Sequence, residues 1–465
     1  MDSDKDTLIS QQRERLFSSL TVPSIIRACT LKDGIVRLEE NETEQYRELF
    51  RLDSSTITFF IPASGSGSRM FDFLQLFLGT SGQEQKEEVQ LFLTKLSQFA
   101  FYSMIQDVWR KDLKSGTLDL LAFCEYLLGP KGLHFSALPK ALFPFHNSGE
   151  QRISPLEGHL RLGTVISHNV KAFHFTLQEE HVPLVRQFIQ CLPTKFPFNI
   201  DFSVQTPQSD SYVFDEFQQV LISPSGDYLR RPAGHGALID NLSSLNSDLI
   251  LIKNIDNIQC QEKDEQVNAC WELLSGLYLY AKKGISDALS SKDRGGLEEL
   301  NQRFNLFDEE LLKRSWEELV PLLQRPLRVC GMVRNEGMAG GGPFWLKEEG
   351  HLSKQIIEKS QIDPAQLSVL SLSTHFNPVM MVTSSFDSQG NPYNFHHFVK
   401  DDMAMAVKKN HFGNSVYYLE KPGLWNGSMY YWNSIFVEIP SDVFSPVKNV
   451  MDLLNPCHVC SSSLR

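Results

Sequence analysis

Three features that would each assign a chain to a particular class of protein are missing from these 465 residues. Basic residues are not in excess: 44 lysines and arginines stand against 56 aspartates and glutamates, for a formal net charge of -12. No apolar run approaches the roughly 20 residues that span a bilayer. The first residues, MDSDKDTLISQQRER, contain no apolar core of a secretion signal. We therefore expect a soluble, cytoplasmic protein that binds neither nucleic acid nor an anionic membrane.

Cysteine is also sparse. Eight cysteines spread over the whole chain predict reduced thiols rather than a disulfide framework. Cys457 and Cys460 form a C-x-x-C pair, but a structural zinc site needs four ligands and no second pair lies nearby. We interpret the pair as part of a thiol-containing tail. An anionic substrate would need a local basic or N–H-lined pocket, or a metal, to bind this acidic chain.

Strand and helix patterns alternate along the chain and predict an α/β fold with a mainly parallel sheet. Residues 1–50 are charged and helical in pattern. We predict an N-terminal helical segment at 1–54, an α/β core at 55–330 with a helical insertion at 72–130, and a portion at 331–465 that completes the core. The predicted strands lie at 55–62, 172–176, 199–204, 248–256, 328–333, 366–383 and 432–439.

The stretch PASGSGSRM, residues 62–70, follows the first predicted strand. Ligands of open parallel sheets bind at the carboxyl ends of the strands, which is where this stretch lies. Gly65 and Gly67 lack side chains, so backbone N–H groups there can approach an oxyanion, and Arg69 adds a positive charge. The stretch matches neither the P-loop, which ends in G-K-[ST], nor the fingerprint G-x-G-x-x-G. Taken alone, it favours a flexible turn.

Two charged residues further along the chain extend the pattern. Lys140 is the only lysine in the apolar run LPKALFPF, where it either reaches the surface or supplies a charge to a phosphate. Asp256 lies between two asparagines after an apolar strand. A carboxylate there could hold Mg²⁺, which takes one or two carboxylates plus substrate phosphates, or could simply belong to a turn.

The order of these motifs resembles that of the UDP-sugar pyrophosphorylases, nucleotidyltransferases of the GT-A type, and the resemblance implies a Rossmann-like GT-A sheet. The shared order is a glycine-rich loop ending in arginine, then Pro-Lys, Gln…Pro, Gly-His-Gly and Asn-x-Asp-Asn. Over nearly its whole length the chain resembles a bacterial family known as domain of unknown function 4301. That likeness includes the segments GMVRN at 331–335, GGGPFW at 340–345 and PGLWNG at 422–427.

The resemblance implies a role for each matching residue. The loop Gly65, Ser66, Gly67 and Ser68 would wrap a nucleoside triphosphate, and Arg69 and Lys140 would neutralise its phosphates. Asp256 would ligate the Mg²⁺ that bridges nucleotide and sugar phosphate. The base and ribose would contact Gln205, Gly234, His235 and Gly236.

Two segments compete for the sugar side of the resemblance. QIIEKS at 355–360 resembles the stretch whose glutamate holds sugar hydroxyls, which would be Glu358 here, together with Asn433. LEKP at 419–422, with Glu420, resembles a motif of mannose-1-phosphate guanylyltransferases. We favour Glu358. Lys448 could meet the sugar phosphate, although a surface lysine is the commoner case, and Asp452 is a weak candidate for a second metal ligand.

The resemblance implies a Mg²⁺-dependent enzyme that joins a nucleoside triphosphate to a sugar-1-phosphate and releases pyrophosphate. The chain departs from those enzymes in two ways: Ser68 stands where threonine is usual, and the helical insertion separates Arg69 from Lys140. Two alternatives stay open, which are a non-catalytic protein that binds a nucleotide or sugar nucleotide, and a cytidylyl or adenylyl transfer to a non-sugar phosphate.

Overall fold

The structure is a computed structural model in which the described residues are 2–18, 22–149, 151–166, 169–204, 210–223, 226–231, 234–337, 340–348, 350–411 and 414–459. The chain divides into two units, and each is described by itself. Unit 1 comprises Met1–Thr58, Ser203–Ile252 and Trp271–Ile439, and unit 2 comprises Phe59–Phe202, Lys253–Cys270 and Pro440–Arg465.

The α-helices of the described residues begin and end as follows: α1 Asp2–Phe17, α2 Glu40–Leu52, α3 Asp72–Gly79, α4 Lys86–Lys95, α5 Asp107–Ser115, α6 Leu120–Leu128, α7 Pro155–Ile166, α8 Val182–Cys191, α9 Leu238–Ser243, α10 Asp264–Ser291, α11 Arg294–Phe304, α12 Glu309–Leu312 and α13 Trp316–Leu323. Side chains fix several of these starts. Asp119 caps α6, and Ser315 and Glu318 form a capping box at α13.

The strands are β1 Ile25–Ala28, β2 Thr30–Leu31, β3 Gly34–Val36, β4 Ile57–Pro62, β5 His146–Ser148, β6 Gln151–Ile153, β7 Val170–Leu177, β8 Asn199–Val204, β9 Ser211–Tyr212, β10 Arg230–Arg231, β11 Leu249–Ile252, β12 Leu327–Met332, β13 Gly342–Glu348, β14 His351–Ile357, β15 Met380–Thr383, β16 Met405–His411, β17 Asn414–Glu420 and β18 Asn433–Glu438.

Unit 1 is built on strands in the order β2-β3-β18-β12-β15-β11. Parallel pairs join β2 to β3, β3 to β18 and β18 to β12, whereas β15 runs antiparallel to both β12 and β11. Every residue of β11, β12 and β15 is buried, as expected of strands covered on both faces. A separate antiparallel sheet has the order β1-β13-β14, and β16 pairs with β17.

Unit 2 has the strand order β4-β7-β8. All six residues of β4 are buried, and Phe59 stacks on Phe173 of β7 with ring centroids 4.5 Å apart. The N–H groups of Lys253 and Ile255 donate to the carbonyls of Phe60 and Pro62, so residues 253–255 continue beside the end of β4. Helices α3 to α6 follow β4 in the chain, and a cluster of buried phenylalanines in this part of unit 2 is discussed below.

The predicted α/β class is confirmed, and the sheet of unit 1 has more parallel than antiparallel pairs. Helices α3 to α6 lie within residues 72–130, the range predicted as a helical insertion. Two details of the prediction were wrong. Residues 25–36 form β1 to β3 rather than a continuation of the N-terminal helix, and residues 364–372 form a 3₁₀ helix ahead of β15. Among the described residues, no helix is both long enough and apolar enough to cross a lipid bilayer.

Candidate functional site

The glycine-serine loop leaves the end of β4 in unit 2 and is fastened by its backbone. The N–H of Gly67 donates to the carbonyl of Leu138 at 3.0 Å, and the N–H of Lys140 donates to the carbonyl of Gly65 at 3.2 Å. The hydroxyls of Ser66 and Ser68 lie 2.8 Å apart. This two-bond bridge holds the loop against residues 138–140, so a flexible turn is the wrong description of it.

Part of the loop keeps its hydrogen-bonding capacity available. Within the described part of the chain, the N–H groups of Ser64, Gly65 and Ser66 donate to no acceptor. The side chain of Arg69, on the 3₁₀ turn Ser68–Phe71, is exposed and has no hydrogen bond or ion pair with a described residue. Successive unpaired N–H groups form anion-binding concavities, and a cation beside them adds to the attraction. The arrangement suits a polyphosphate.

The two glycines of the loop give a matched pair of variants. A Cβ at Gly67 would stand 2.7 Å from the carbonyl oxygen of Leu138, whereas a Cβ at Gly65 would meet nothing within 4 Å. We expect Gly67→Ala to lower the free energy of unfolding by about 1–3 kcal/mol. Gly65→Ala should stay within about 0.5 kcal/mol of wild type yet weaken triphosphate binding, because its methyl projects into the open side of the loop. Urea denaturation and nucleotide titration measure the two effects.

A comparison of Gly65→Ala with Gly67→Ala tests both the packing of the loop and its assignment to the phosphates. Equal unfolding free energies for Gly65→Ala and Gly67→Ala would contradict the contact with Leu138. Unchanged nucleotide binding by Gly65→Ala, in a protein that does bind nucleotide, would contradict the assignment of this loop to the phosphates.

Lys140 and Asp256 meet at the loop. The Lys140 ammonium donates to Asp256 Oδ2 at 3.1 Å and to the carbonyl of Val447 at 2.7 Å. The side chains are 12% and 19% exposed, so this ion pair is largely but not completely shielded from water. These two contacts use two of the three donors of the ammonium, so one donor stays available. A cation, a carboxylate and free N–H groups therefore occupy one region of unit 2.

Asp256 is the residue here that could hold a metal ion. Its Oδ2 accepts from Lys140, and no described residue donates to Oδ1. Across the described residues, no group of three or more His, Cys, Asp or Glu side chains could hold a metal ion by itself. Mg²⁺ is commonly held by one or two carboxylates while substrate phosphates and water fill its other positions. Asp256 fits a site of this kind, in which one carboxylate and the substrate phosphates together hold the ion. Asp452 does not join it, because its Oδ2 accepts from the N–H groups of Lys448 and Asn449.

The segment that contains Val447 also contacts a buried pair of histidines, His146 and His458. His146 Nε2 lies 2.9 Å from His458 Nδ1, and His458 Nε2 lies 2.8 Å from the carbonyl of Ser445, to which it can only donate. His458 Nδ1 is then the acceptor of the His146 proton, so both rings are neutral. Burial and, to a smaller extent, the neighbouring imidazole lower the pKa of His146 to about 3, and burial lowers the pKa of His458 to about 4.

This histidine pair makes the stability of the protein depend on pH. Between pH 6.5 and about 4 the unfolded chain protonates both histidines while the folded chain does not. The free energy of unfolding should therefore fall as the pH drops through this window, by about 1.4 kcal/mol per pH unit for each histidine. His458→Gln should remove one histidine's share of that slope. Urea denaturation at a series of pH values measures it.

His134 provides the control for the pH experiment. It is exposed and has a φ of 55°, a conformation that asparagine also adopts. His134→Asn should keep the wild-type slope, and a wild-type protein whose stability does not change over this window would contradict the neutral buried pair.

In unit 1 the predicted nucleotide-binding segment, residues 234–236, packs against residues 420–422 of the LEKP motif, the second candidate for the sugar side. Gly234 has a φ of 77°, and a Cβ there would lie 3.3 Å from Glu420 Oε2. A Cβ at Gly236 would lie 2.0 Å from the carbonyl of Pro422, so this position has room only for glycine. His235 contributes backbone to the 3₁₀ turn His235–Ala237. Gln205 lies outside the described residues.

Glu358 and Asn433, the predicted sugar-binding residues, have different surroundings in unit 1. Glu358 Oε1 accepts from Asn377 Nδ2 at 2.8 Å, and its N–H donates to Gln361 Oε1. Asn433 is buried, and its Nδ2 donates to the carbonyl of Leu322 at 2.8 Å, which ties the start of β18 to the end of α13. The amide of Asn433 therefore stabilises the fold. Glu358 belongs to a group of polar side chains with Asn377 and Gln361, and the sequence analysis had singled out only Glu358 of these three.

Several groups of the candidate site were not predicted from the sequence. The carbonyl of Val447 receives the Lys140 ammonium, and no sequence pattern marks a carbonyl. Asn426 Nδ2 donates to Gln361 Oε1 at 3.0 Å, which joins the PGLWNG motif to the Glu358 group and could have been suspected from that motif. Lys448 is exposed. Cys457 is a free thiol, and Cys460 lies outside the described residues.

The chain matches a protein family over most of its length and is similar in fold to solved structures. A family model described as Domain of unknown function (DUF4301) matches residues 2–459. Comparison with curated proteins returns no match. A protein provisionally identified as UDP-N-acetylglucosamine pyrophosphorylase from Entamoeba histolytica is 14% identical, with a TM-score of 0.42 over 87% of this chain and 79% of that one. UDP-glucose phosphorylase from Trypanosoma brucei is 12% identical, with a TM-score of 0.42 over 97% and 73%. At these TM-scores, function has to be argued from the residues of this chain.

Proposed function

The chain belongs to the DUF4301 family, and we propose that it is a nucleotidyltransferase that joins a nucleoside triphosphate to a sugar-1-phosphate and releases pyrophosphate. One observation carries the proposal: the bridge between the glycine loop and residues 138–140 places Lys140 against Asp256 beside unpaired loop N–H groups. Phosphoryl-group chemistry needs this combination of positive charge, N–H donors and a carboxylate at one place.

Each residue of this group has a role in the proposed reaction. The N–H groups of Ser64, Gly65 and Ser66, with Arg69, would bind the triphosphate and orient its α-phosphorus. An oxygen of the sugar phosphate attacks that phosphorus, a new P–O bond forms, and the bond to pyrophosphate breaks. The attacking oxygen is already ionised, so no general base is required. Lys140 would neutralise charge on the phosphates, and Asp256 and the Val447 carbonyl would hold its ammonium in position.

A bound Mg²⁺ would supply further charge neutralisation at the phosphates, and Asp256 is the residue we propose to hold it. In unit 1 we propose that Glu358 binds sugar hydroxyls and that the segment Gly234, His235 and Gly236, with Gln205, contacts the base and ribose. Glu358 suits this role because Asn377 and Gln361 orient it.

The experiment that tests the proposal is a pyrophosphate-release screen. The natural nucleoside triphosphates are each combined with a panel of sugar-1-phosphates in the presence of Mg²⁺, and the same mixtures are repeated with chelator. Release from a defined pair, dependent on both substrates, is the expected result. The screen also includes non-sugar phosphate acceptors, and release with one of those alone would replace the sugar by that acceptor.

A second candidate function, a non-catalytic protein that binds the nucleotide, is favoured by one observation. Asp452, the residue considered as a second metal ligand, is occupied by backbone N–H groups. A thermal shift with nucleotide but no pyrophosphate from any mixture would support this candidate. The absence of both release and a nucleotide-induced shift would overturn both proposals.

A further inference from the structure

A cavity of about 160 Å³ lies in unit 2 and takes no part in the proposed reaction. One water needs roughly 10–15 Å³ on this measure, so the cavity has room for roughly a dozen non-hydrogen atoms. That is too small for a nucleotide and close to the size of one hexose. Its walls come from β5, β6, α7 and the residues that lead into α10.

Most of the surface that lines the cavity is apolar, and the polar groups on it include both donors and acceptors. It includes the imidazole of His146, the guanidinium of Arg161, the amides of Asn147 and Gln259 and the carboxylate of Asp264. Hydroxyl groups both donate and accept, so a ligand with several hydroxyls could satisfy such a mixed lining, whereas a purely anionic or cationic group would satisfy half of it.

Charged side chains of both signs surround the cavity. The carboxylates of Asp264 and the exposed Glu262 line it together with the guanidinium of Arg161, which Glu157 holds at 2.7 Å. Burial raises the pKa of the Asp264 carboxyl to about 6, against the opposing effects of Lys253 and Arg161. The lining therefore offers no excess positive charge to attract a phosphate.

The polar groups of the wall are positioned by a buried network. Gln259 Nε2 donates to Asn257 Oδ1 and Ser445 Oγ, both at 2.9 Å, and its Oε1 accepts from Lys253 Nζ at 3.1 Å. His146 is fixed by His458. Fully satisfied buried networks hold side chains in one arrangement, which is the condition for selective binding of a small polar ligand.

We propose that this cavity is a binding site for an uncharged, hydroxyl-rich compound of hexose size, distinct from the group around Lys140 and Asp256. Asp264 accepts from its hydroxyls, Arg161 donates to them, and Ile153 supplies an apolar surface for its carbon face. The site does not depend on the transfer reaction, and its test uses no nucleotide.

The test places a thiol in the wall. Ser148→Cys is treated with three methanethiosulfonates that carry a neutral hydroxyl, a quaternary ammonium or a sulfonate group, and labelling is followed by peptide mass spectrometry. Cys191 is exposed and serves in the same molecule as the internal reference for the reactivity of each reagent. Relative to Cys191, Cys at position 148 should react fastest with the neutral reagent, and a free hexose such as glucose, galactose, mannose or N-acetylglucosamine should slow that reaction by about tenfold.

Two further variants separate binding from a change in the thiol. In the Ser148→Cys background, Asp264→Ala should abolish protection by the hexose, while Glu265→Ala should retain it, because Glu265 is exposed and lies outside the lining. Protection by no hexose of the panel would overturn the proposal. A preference for the sulfonate or the quaternary ammonium reagent, relative to Cys191, would also overturn it, because the cavity would then select a charged group.

Discussion

Lys140→Gln should lower the rate of pyrophosphate release by about 10²–10³-fold with the substrate pair that the screen identifies. The ammonium is held at 3.1 Å from Asp256 and 2.7 Å from the Val447 carbonyl, so it is fixed before substrate arrives. Preorganised charge of this kind acts mainly on the transition state, where negative charge shifts between phosphoryl oxygens. We therefore expect the loss in kcat rather than in KM, measured by steady-state kinetics with pyrophosphate detection.

The same replacement also perturbs folding, and the double variant separates the two effects. Removing either partner leaves the other charge shielded from water without compensation, so Lys140→Gln and Asp256→Asn should each be destabilising. Lys140→Gln/Asp256→Asn removes both charges and should recover much of the lost free energy of unfolding. Its turnover should stay as low as that of the single variants.

Lys171 gives the matched control, because it is an exposed lysine of unit 2 on β7. Lys171→Gln should keep both the activity and the unfolding free energy of wild type. Wild-type turnover in a stable double variant would show that Lys140 and Asp256 are structural and would remove them from the reaction.

The strands that sequence reasoning found include several with long apolar runs. β4, β11 and β12 are buried along their whole length, so their apolar character is visible without knowledge of any partner. β1, β2 and β3, of two to four residues each, were not predicted, and neither were the seven-residue strands β13, β14, β16 and β17. The formation of β1 and β3 depends on distant partners: Ala28 pairs with Phe344, and Ile35 pairs with Phe436. A local pattern cannot contain a pairing of that kind.

The candidate site shows the same limit at the level of single residues. Gly67 and Lys140 were recognisable by residue type, and the structure adds that the backbone at 65–67 is bridged to 138–140. The helical insertion lies between these two stretches in the chain, so spacing alone gave no indication of their contact. The carbonyl of Val447 could not be predicted, because every residue has a carbonyl and only the fold selects one.

Asn433 shows how a side chain can contact the backbone in a way that its motif does not reveal. Its amide donates to the Leu322 carbonyl in the last turn of helix α13. The carbonyls of a helix's last turn have no partner within the α-helical ladder and take side-chain donors readily. The residue type and the motif alone could not predict this hydrogen bond.

Phe143→Ala should lower the free energy of unfolding by about 3–5 kcal/mol, the usual cost of removing a fully buried phenylalanine ring. Phe143 contacts Phe71, Phe101 and Phe135 with ring centroids between 4.9 and 5.5 Å apart, and all four side chains are completely buried. Phe143→Leu keeps most of the volume and should cost less than about 1.5 kcal/mol. Phe217, which is 74% exposed, supplies the control, because Phe217→Ala should stay within about 0.5 kcal/mol.

The reason for the large effect is that this cluster joins three parts of unit 2. Phe71 closes the 3₁₀ turn that carries Arg69, Phe101 belongs to the helical insertion, and Phe143 follows the turn that carries Lys140. The insertion is therefore a packing layer for the glycine loop, whatever else it does. A double-mutant cycle between Phe101→Leu and Phe143→Leu tests this directly. We expect a coupling of about 0.5–3 kcal/mol, and strictly additive effects would mean that the insertion and the loop are stabilised independently.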